Sequence, residues 1–236
     1  SLEMSLDQAA ATFAEELSGL FSAVFDAPVV FEALENQTSS GARRIVIAKA
    51  GPGGIPISIS GQPVFVLVLS YECSWNSETE QMTIVESVFS VLLHGVKEPL
   101  WRYDFNRDMK SKVPVAHLNV HAHRDEIAWA RSLAKRESPE DVKVRKLHFP
   151  FGGARFRPTI EDVLQMLIEE FQVDCTGNAR VILENSRIQY FERQLTAAVL
   201  EAPDVAVSAL EKLGYKTYVS STNKESSGKK TRKTSW

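Results

Sequence analysis

Three of the five histidines in the chain lie within seven residues, in His117-Leu118-Asn119-Val120-His121-Ala122-His123. An extended strand alternates its side chains between two faces, so His117, Asn119, His121 and His123 would share one face and Leu118, Val120 and Ala122 the other. At ~3.4 Å per residue, His121 and His123 stand about 7 Å apart along the backbone and can converge on one ion or phosphate. His117 is about 20 Å from His123 on the same measure and falls outside that pair unless the strand bulges. Imidazole, with an ordinary pKa of ~6.5, suits proton transfer near neutrality. The preceding segment, Leu100-Trp101-Arg102-Tyr103-Asp104-Phe105, pairs naturally with this one across a turn. Arg102 and Asp104 share one of its faces. If that is the histidine face, the carboxylate of Asp104 can orient an imidazole while Arg102 holds an anion. A plain cross-strand ion pair satisfies the same residues.

A second place for chemistry is His148-Phe149-Pro150-Phe151-Gly152-Gly153-Ala154-Arg155-Phe156-Arg157-Pro158-Thr159. Adjacent Gly152 and Gly153 allow a ligand to approach the backbone, the helix that follows offers unpaired N–H groups, and Arg155 and Arg157 add forked donors suited to phosphate. The spacing matches neither a Walker nor a dinucleotide-binding fingerprint. The structural alternative is a tight hairpin whose phenylalanines anchor the next helix. HxH on a strand is also a zinc geometry, with His148 as the one histidine placed to add a third ligand. Because only His121 and His123 converge by spacing alone, neither a metal nor any other cofactor is expected.

These residues need elements to hold them. Phe13, Leu17, Leu20, Phe21, Val24 and Phe25 recur at spacings of three and four, which predicts an amphipathic helix from Ser5 to Asp26, ending before Pro28. Short β-branched runs follow, at Val29 to Leu34, Arg44 to Ala48 and Ile55 to Ile59. The clearest strand is Val64 to Trp75, with Phe65, Leu67, Leu69, Tyr71, Cys73 and Trp75 on one face. Met82 to Leu93 admits a helix, with Ser77 and Glu80 as a capping box, but its β-branched content favours a strand. Pro99 to Phe105 and Val115 to Ala122 complete an antiparallel meander. Beyond it come a short helix over Asp125 to Arg136, a strand over Val142 to Phe149, and helices over Ile160 to Phe171, Ala179 to Leu200 and Pro203 to Leu213. The expected class is therefore α+β, a mostly antiparallel sheet meander set against an N-terminal helix and a C-terminal helical region. A single domain is expected over residues 4–219, with the helix at 4–26, the sheet at 28–123 and a mixed, then helical, part at 124–219.

Lysine plus arginine (27) against aspartate plus glutamate (30) gives −3, which excludes nucleic-acid binding by bulk charge and leaves room for a local basic patch. Residues 220–236 carry Lys224, Lys229, Lys230, Arg232 and Lys233 against Glu225 alone, a basic, solvated tail. No CxxC is present, and Cys73 and Cys175 read as reduced. The N-terminal apolar residues are interrupted by Glu15, Glu16 and Asp26, so neither a signal peptide nor a membrane span is expected, and a cytoplasmic location is the default.

The order of features from Tyr103 to Asp162, an aromatic-rich RYDF strand, a turn, an HxH strand and an acidic amphipathic helix, resembles the TumE-type toxins of bacterial toxin–antitoxin pairs over about a quarter of the chain. The resemblance implies a bacterial protein working beside a helix-turn-helix antitoxin and acting on nucleic acid, and it reaches Arg102, Tyr103, His121 and His123. Together with the residue chemistry, it gives the leading expectation: a toxin-like effector acting on or binding a phosphate-bearing substrate, with RNA favoured. His121, His123 and Asp104 would do acid/base work, metal-free, as in a nuclease. Arg102, Arg155, Arg157, Gly152 and Gly153 would hold phosphate. The alternatives are a non-enzymatic adaptor that binds a protein, and a zinc hydrolase built on His121, His123 and His148.

Overall fold

The computed structural model describes residues 5–37, 41–108, 115–120, 126, 129–130, 132–133 and 158–218. His121, His123, His148, Gly152, Gly153, Arg155 and Arg157 lie outside the described residues, as do the expected strand at Val142 to Phe149, most of the helix at Asp125 to Arg136, and residues 220–236. The α+β class is borne out: among the described residues there are four helices and a seven-stranded antiparallel sheet. Contacts divide the chain into two compact units, Ser1–Arg187 and Ile188–Trp236.

In the first unit, helix α1 (Leu6–Phe25) begins at a reciprocal cap: the Ser5 hydroxyl accepts from the Gln8 amide at 3.3 Å and the Gln8 side chain accepts from the Ser5 amide at 3.0 Å. Its spaced apolar residues Leu6, Ala10, Ala14, Leu17, Phe21 and Val24 are buried. Ser18 and Ser22 accept hydrogen bonds from the amides of Phe31 and Val29, at 2.8 and 3.1 Å, fixing the chain as it leaves the helix. Those contacts tie Val29 to the helix, so strand β1 (Phe31–Gln37) starts two residues later than its β-branched residues suggest.

The remaining strands are β2 (Arg43–Lys49), β3 (Ile55–Ile59), β4 (Gln62–Asn76), β5 (Gln81–Leu93), β6 (Pro99–Asn106) and β7 (Ala116–Val120). They are ordered β1-β2-β4-β5-β6-β7, and β3 also pairs with β4. Residues 70–73 of β4 face β2, while its residues 62–67 face β3. The ambiguous segment is β5, a strand as its β-branched residues favour. Ser77 to Glu80 form the turn before it, with the Asn76 side chain accepting from the amides of Glu78 and Thr79.

One face of the sheet is apolar apart from Ser87 of β5, which is buried opposite Tyr71. Phe65, Leu67, Leu69, Tyr71 and Cys73 of β4 are buried beside Phe89 and Val91 of β5 and Trp101 and Tyr103 of β6. Helix α1 covers this face through Phe13, whose ring meets Tyr71 edge-on at 5.0 Å, and through Phe21 against Phe31. Helix α2 (Ile160–Phe171) covers it through Phe171, which stacks on Trp101 at 5.8 Å and meets Phe65 edge-on at 5.0 Å. The start of α2 is the expected one: Thr159 accepts from the Asp162 amide, and Asp162 accepts from the Thr159 amide.

Beyond α2, Asp174 clasps the β3–β4 turn. Its two carboxylate oxygens accept from the amides of Ser60 and Gly61 at 2.8 and 2.7 Å, and its own amide donates to Ser58 O. Both turn residues have positive φ, 52° and 76°, which a two-residue hairpin of this hand requires. The Thr176 hydroxyl and amide donate to the end of α1, at Ala23 O and Val24 O. Helix α3 (Ala179–Glu201) begins within the first unit, where Ala179 and Leu183 are buried, Arg180 pairs with Glu169, and Ser186 donates to the buried Glu161 at 2.6 Å.

In the second unit, the rest of α3 is followed by helix α4 (Pro203–Lys212), with proline in its first turn, as expected. No residue of α4 is buried. No described helix is long and apolar enough to cross a membrane.

Candidate functional site on the outer sheet face

Strand alternation sends the RYD triplet both ways. Tyr103 points into the core at 2% exposure, with its hydroxyl 3.8 Å from Met166 Sδ. Burial, aided by the charge of Asp162, holds its phenol well above the usual tyrosine range. Tyr103 is therefore a core residue that anchors α2 and stays neutral. Arg102 and Asp104 take the outer face.

The β6–β7 register sets Asp104 opposite His117 and Arg102 opposite Asn119. These four side chains meet at one atom, Asp104 Oδ2. It accepts from Arg102 Nε at 2.8 Å and from Asn119 Nδ2 at 2.7 Å, and His117 Nε2 stands 3.5 Å away, within ion-pair range. The carboxylate is 12% exposed and the His117 ring 17%, whereas Arg102 is 41% exposed. A sheltered acid thus orients a cation and an imidazole, and the guanidinium is committed to it through Nε. The expected meeting of a cation, a carboxylate and an imidazole on one wall is present, and the imidazole is His117.

The wall continues across the sheet. Glu72 of β4 sits directly opposite Glu86 of β5, and Glu86 opposite Asn106 of β6, whose amide donates to Glu86 at 2.8 Å. Arg44 of β2, 17% exposed, reaches Glu72 at 3.4 Å and Asp108 at 3.3 Å. Burial first, then the charges of Glu72 and Asp104, push the Glu86 carboxyl above its ordinary range, against the opposing effect of the Asn106 hydrogen bond. Like charges directly opposite on neighbouring strands destabilise a sheet. The wall therefore holds, near the Asp104 carboxylate and the His117 imidazole, a carboxyl that binds its proton more tightly than an ordinary glutamate. Among the described residues no group of three or more histidine, cysteine, aspartate or glutamate side chains is arranged to hold a metal ion.

Comparison with family models, curated proteins and solved structures returns no match.

Spacing singled out Arg102 and Asp104, and the structure brings them together. Spacing alone set His117 aside, since it was measured from His123 along one strand. The missing signal was across the strands: with Asp104 opposite His117, the shortest route from the acid to an imidazole crosses the ladder. Asn119 was seen to share the histidine face, but its hydrogen bond to Asp104 needed the register as well. Glu86 carried no sequence signal, because its environment is made by β4 and β6.

Proposed function

We propose that the outer face of β6 and β7 is the working surface of a toxin-like effector that acts on or binds a phosphate-bearing substrate, RNA being the favoured class. The observation that carries this reading is the convergence of Arg102, Asn119 and His117 on the Asp104 carboxylate. A carboxylate beside an imidazole stabilises the imidazolium that forms when the ring takes a proton, which is the need of general acid–base catalysis on a phosphodiester. An oriented, partly exposed arginine supplies donors to the phosphate. Sequence spacing adds His121 and His123 to the same face, and Gly152, Gly153, Arg155 and Arg157 as further phosphate contacts. The resemblance to TumE-type toxins supports a bacterial setting and a helix-turn-helix antitoxin as partner.

The test is RNA binding and cleavage by the purified chain, alongside growth arrest on its expression. His117→Ala and His123→Ala should each abolish cleavage and arrest, and His117→Ala should still unfold cooperatively, because its ring lies on the polar outer face of the sheet and not in the core. Arg102→Ala should weaken RNA binding and reduce its salt dependence by about one phosphate contact. A wild-type chain that neither binds RNA nor arrests growth overturns the proposal.

A further inference from the structure

The wall that carries Asp104 and His117 is acidic. Among the described residues, Arg44 pairs with Glu72 and Asp108, and Arg102 pairs with Asp104, whereas Glu86 accepts from the neutral amide of Asn106. Register crowds these acids together. Glu86 lies directly opposite Glu72 on β4, and on β6 it lies opposite Asn106, two residues along from Asp104, which makes Asp104 its diagonal neighbour at about 7–8 Å. Arg102 and His117 stand beyond Asp104 on the same face, and Arg107 is solvent-exposed past the end of β6.

We propose that Glu86 is a pH-sensitive switch of this surface: it takes up a proton when a phosphate group settles on the outer face, so that the site holds its substrate more tightly as the pH falls below neutrality. This inference rests on the reading of the outer face as a phosphate site and names the regulation of that site. A phosphate at Arg102 adds negative charge to a wall whose carboxylates already outnumber the two arginines that pair with them. One carboxylate can give up its charge without breaking an ion pair, and it is Glu86. Protonating Glu72 or Asp104 would weaken a bond to Arg44 or Arg102. Protonated Glu86 keeps a carbonyl oxygen to accept from Asn106. Burial and the charges of Glu72 and Asp104 already favour its protonated form. Linkage makes the effect reciprocal: an anion that tightens the hold of Glu86 on its proton is itself held more tightly by the protonated wall. For unit charges roughly 10 Å apart at an effective dielectric constant between about 20 and 80, the change in affinity is about two- to fifteenfold.

The experiment uses the full chain and a labelled single-stranded 2′-O-methyl RNA, which keeps its phosphates and resists cleavage, with affinity read by fluorescence anisotropy at fixed low ionic strength. Wild type should bind more tightly at pH 5 than at pH 7.5. Glu86→Gln, neutral at both, should bind roughly two- to fifteenfold more tightly than wild type at pH 7.5, and its advantage should shrink toward pH 4.5. Any proton taken by a histidine is common to both chains and cancels from their ratio. Glu86→Ser is equally uncharged and should behave as Glu86→Gln does, which guards against an effect of side-chain shape. Glu15→Gln removes the same charge from the exposed side of α1, against the opposite sheet face, and should match wild type throughout. Equal affinity of Glu86→Gln and wild type at pH 7.5 overturns the proposal and leaves the phosphate reading standing. So does an advantage that is as large at pH 4.5, or one that Glu15→Gln shares. RNA binding by none of the chains at any pH overturns the phosphate reading, and this proposal with it.

Discussion

At the scale of single residues, the outer wall brings three carboxylates, Glu72, Glu86 and Asp104, onto one face with two arginines and a histidine. The fold favours protonation of Glu86, and this has a consequence for stability. A carboxyl whose folded pKa is raised stabilises the native state while it is protonated. That contribution is present below its ordinary pKa of ~4.3 and is lost as pH rises through the raised value. Glu86→Gln keeps an oxygen to accept from Asn106 and cannot ionise. The variant should melt higher than wild type at pH 7, and the gain should shrink toward pH 4. An equal gain at both pH values would show that ionisation of Glu86 is not the cause. Arg102, Asp104, His117 and Asn119 were legible in the sequence, and so was the face each occupies within its own strand, because period two needs only one strand; Glu86 was not, since its segment also fits a helix. Which residue opposes which was not legible. Register depends on the turn between β6 and β7 and on the bulge in β5, where Glu72 opposes Glu86 but Cys73 opposes Ile84.

At the scale of elements, the β-branched residues of β5 prevailed over its helical spacing because the strand lies between β4 and β6, where both edges are hydrogen-bonded. Helix α2 was legible to the residue, from Thr159 at its start to Phe171 at its end, because cap, first-turn acids and apolar spacing agree. Thr159→Ala should cost about 1 kcal/mol of unfolding free energy, by loss of the side-chain bond to the Asp162 amide. The β2–β3 connection is less forgiving. A Cβ on Gly54 would lie 2.6 Å from both Leu67 O and Val66 Cγ1 of β4. Gly54→Ala should therefore destabilise by roughly 1–3 kcal/mol in a denaturant titration, since either the hairpin or β4 must shift. A change below about 0.5 kcal/mol would mean that β3 is free to move away.

At the scale of the whole molecule, the core of the first unit is one layer of side chains between the inner sheet face and helices α1 and α2, and its centre is the cluster of Phe65, Trp101 and Phe171. Phe171 is fully buried and touches two strands that are not neighbours. Phe171→Ala should cost about 3–5 kcal/mol. Tryptophan fluorescence and far-ultraviolet circular dichroism of that variant should still lose structure together across the transition of the first unit. Separate midpoints would show that α2 folds apart from the sheet. The layered α+β arrangement was legible because strands in one run and helices in another allow few alternatives. The division at Arg187 carries no such signal, since α3 runs through it without a break in helical spacing.

The Asp174 clasp joins residues 114 positions apart in sequence. During synthesis the β3–β4 turn leaves the ribosome that many residues ahead of the carboxylate that holds it, an interval of roughly 6–20 s at ~5–20 residues per second. Phe65 waits nearly as long for Phe171, and Trp101 somewhat more than half as long. For those seconds the nascent chain carries an apolar sheet face only partly shielded by α1, and its left-handed turn at Ser60 lacks the acceptor that steadies it. Changes in codon usage over residues 121–170, between β7 and α2, should therefore alter the yield of folded chain more than the same changes after residue 176.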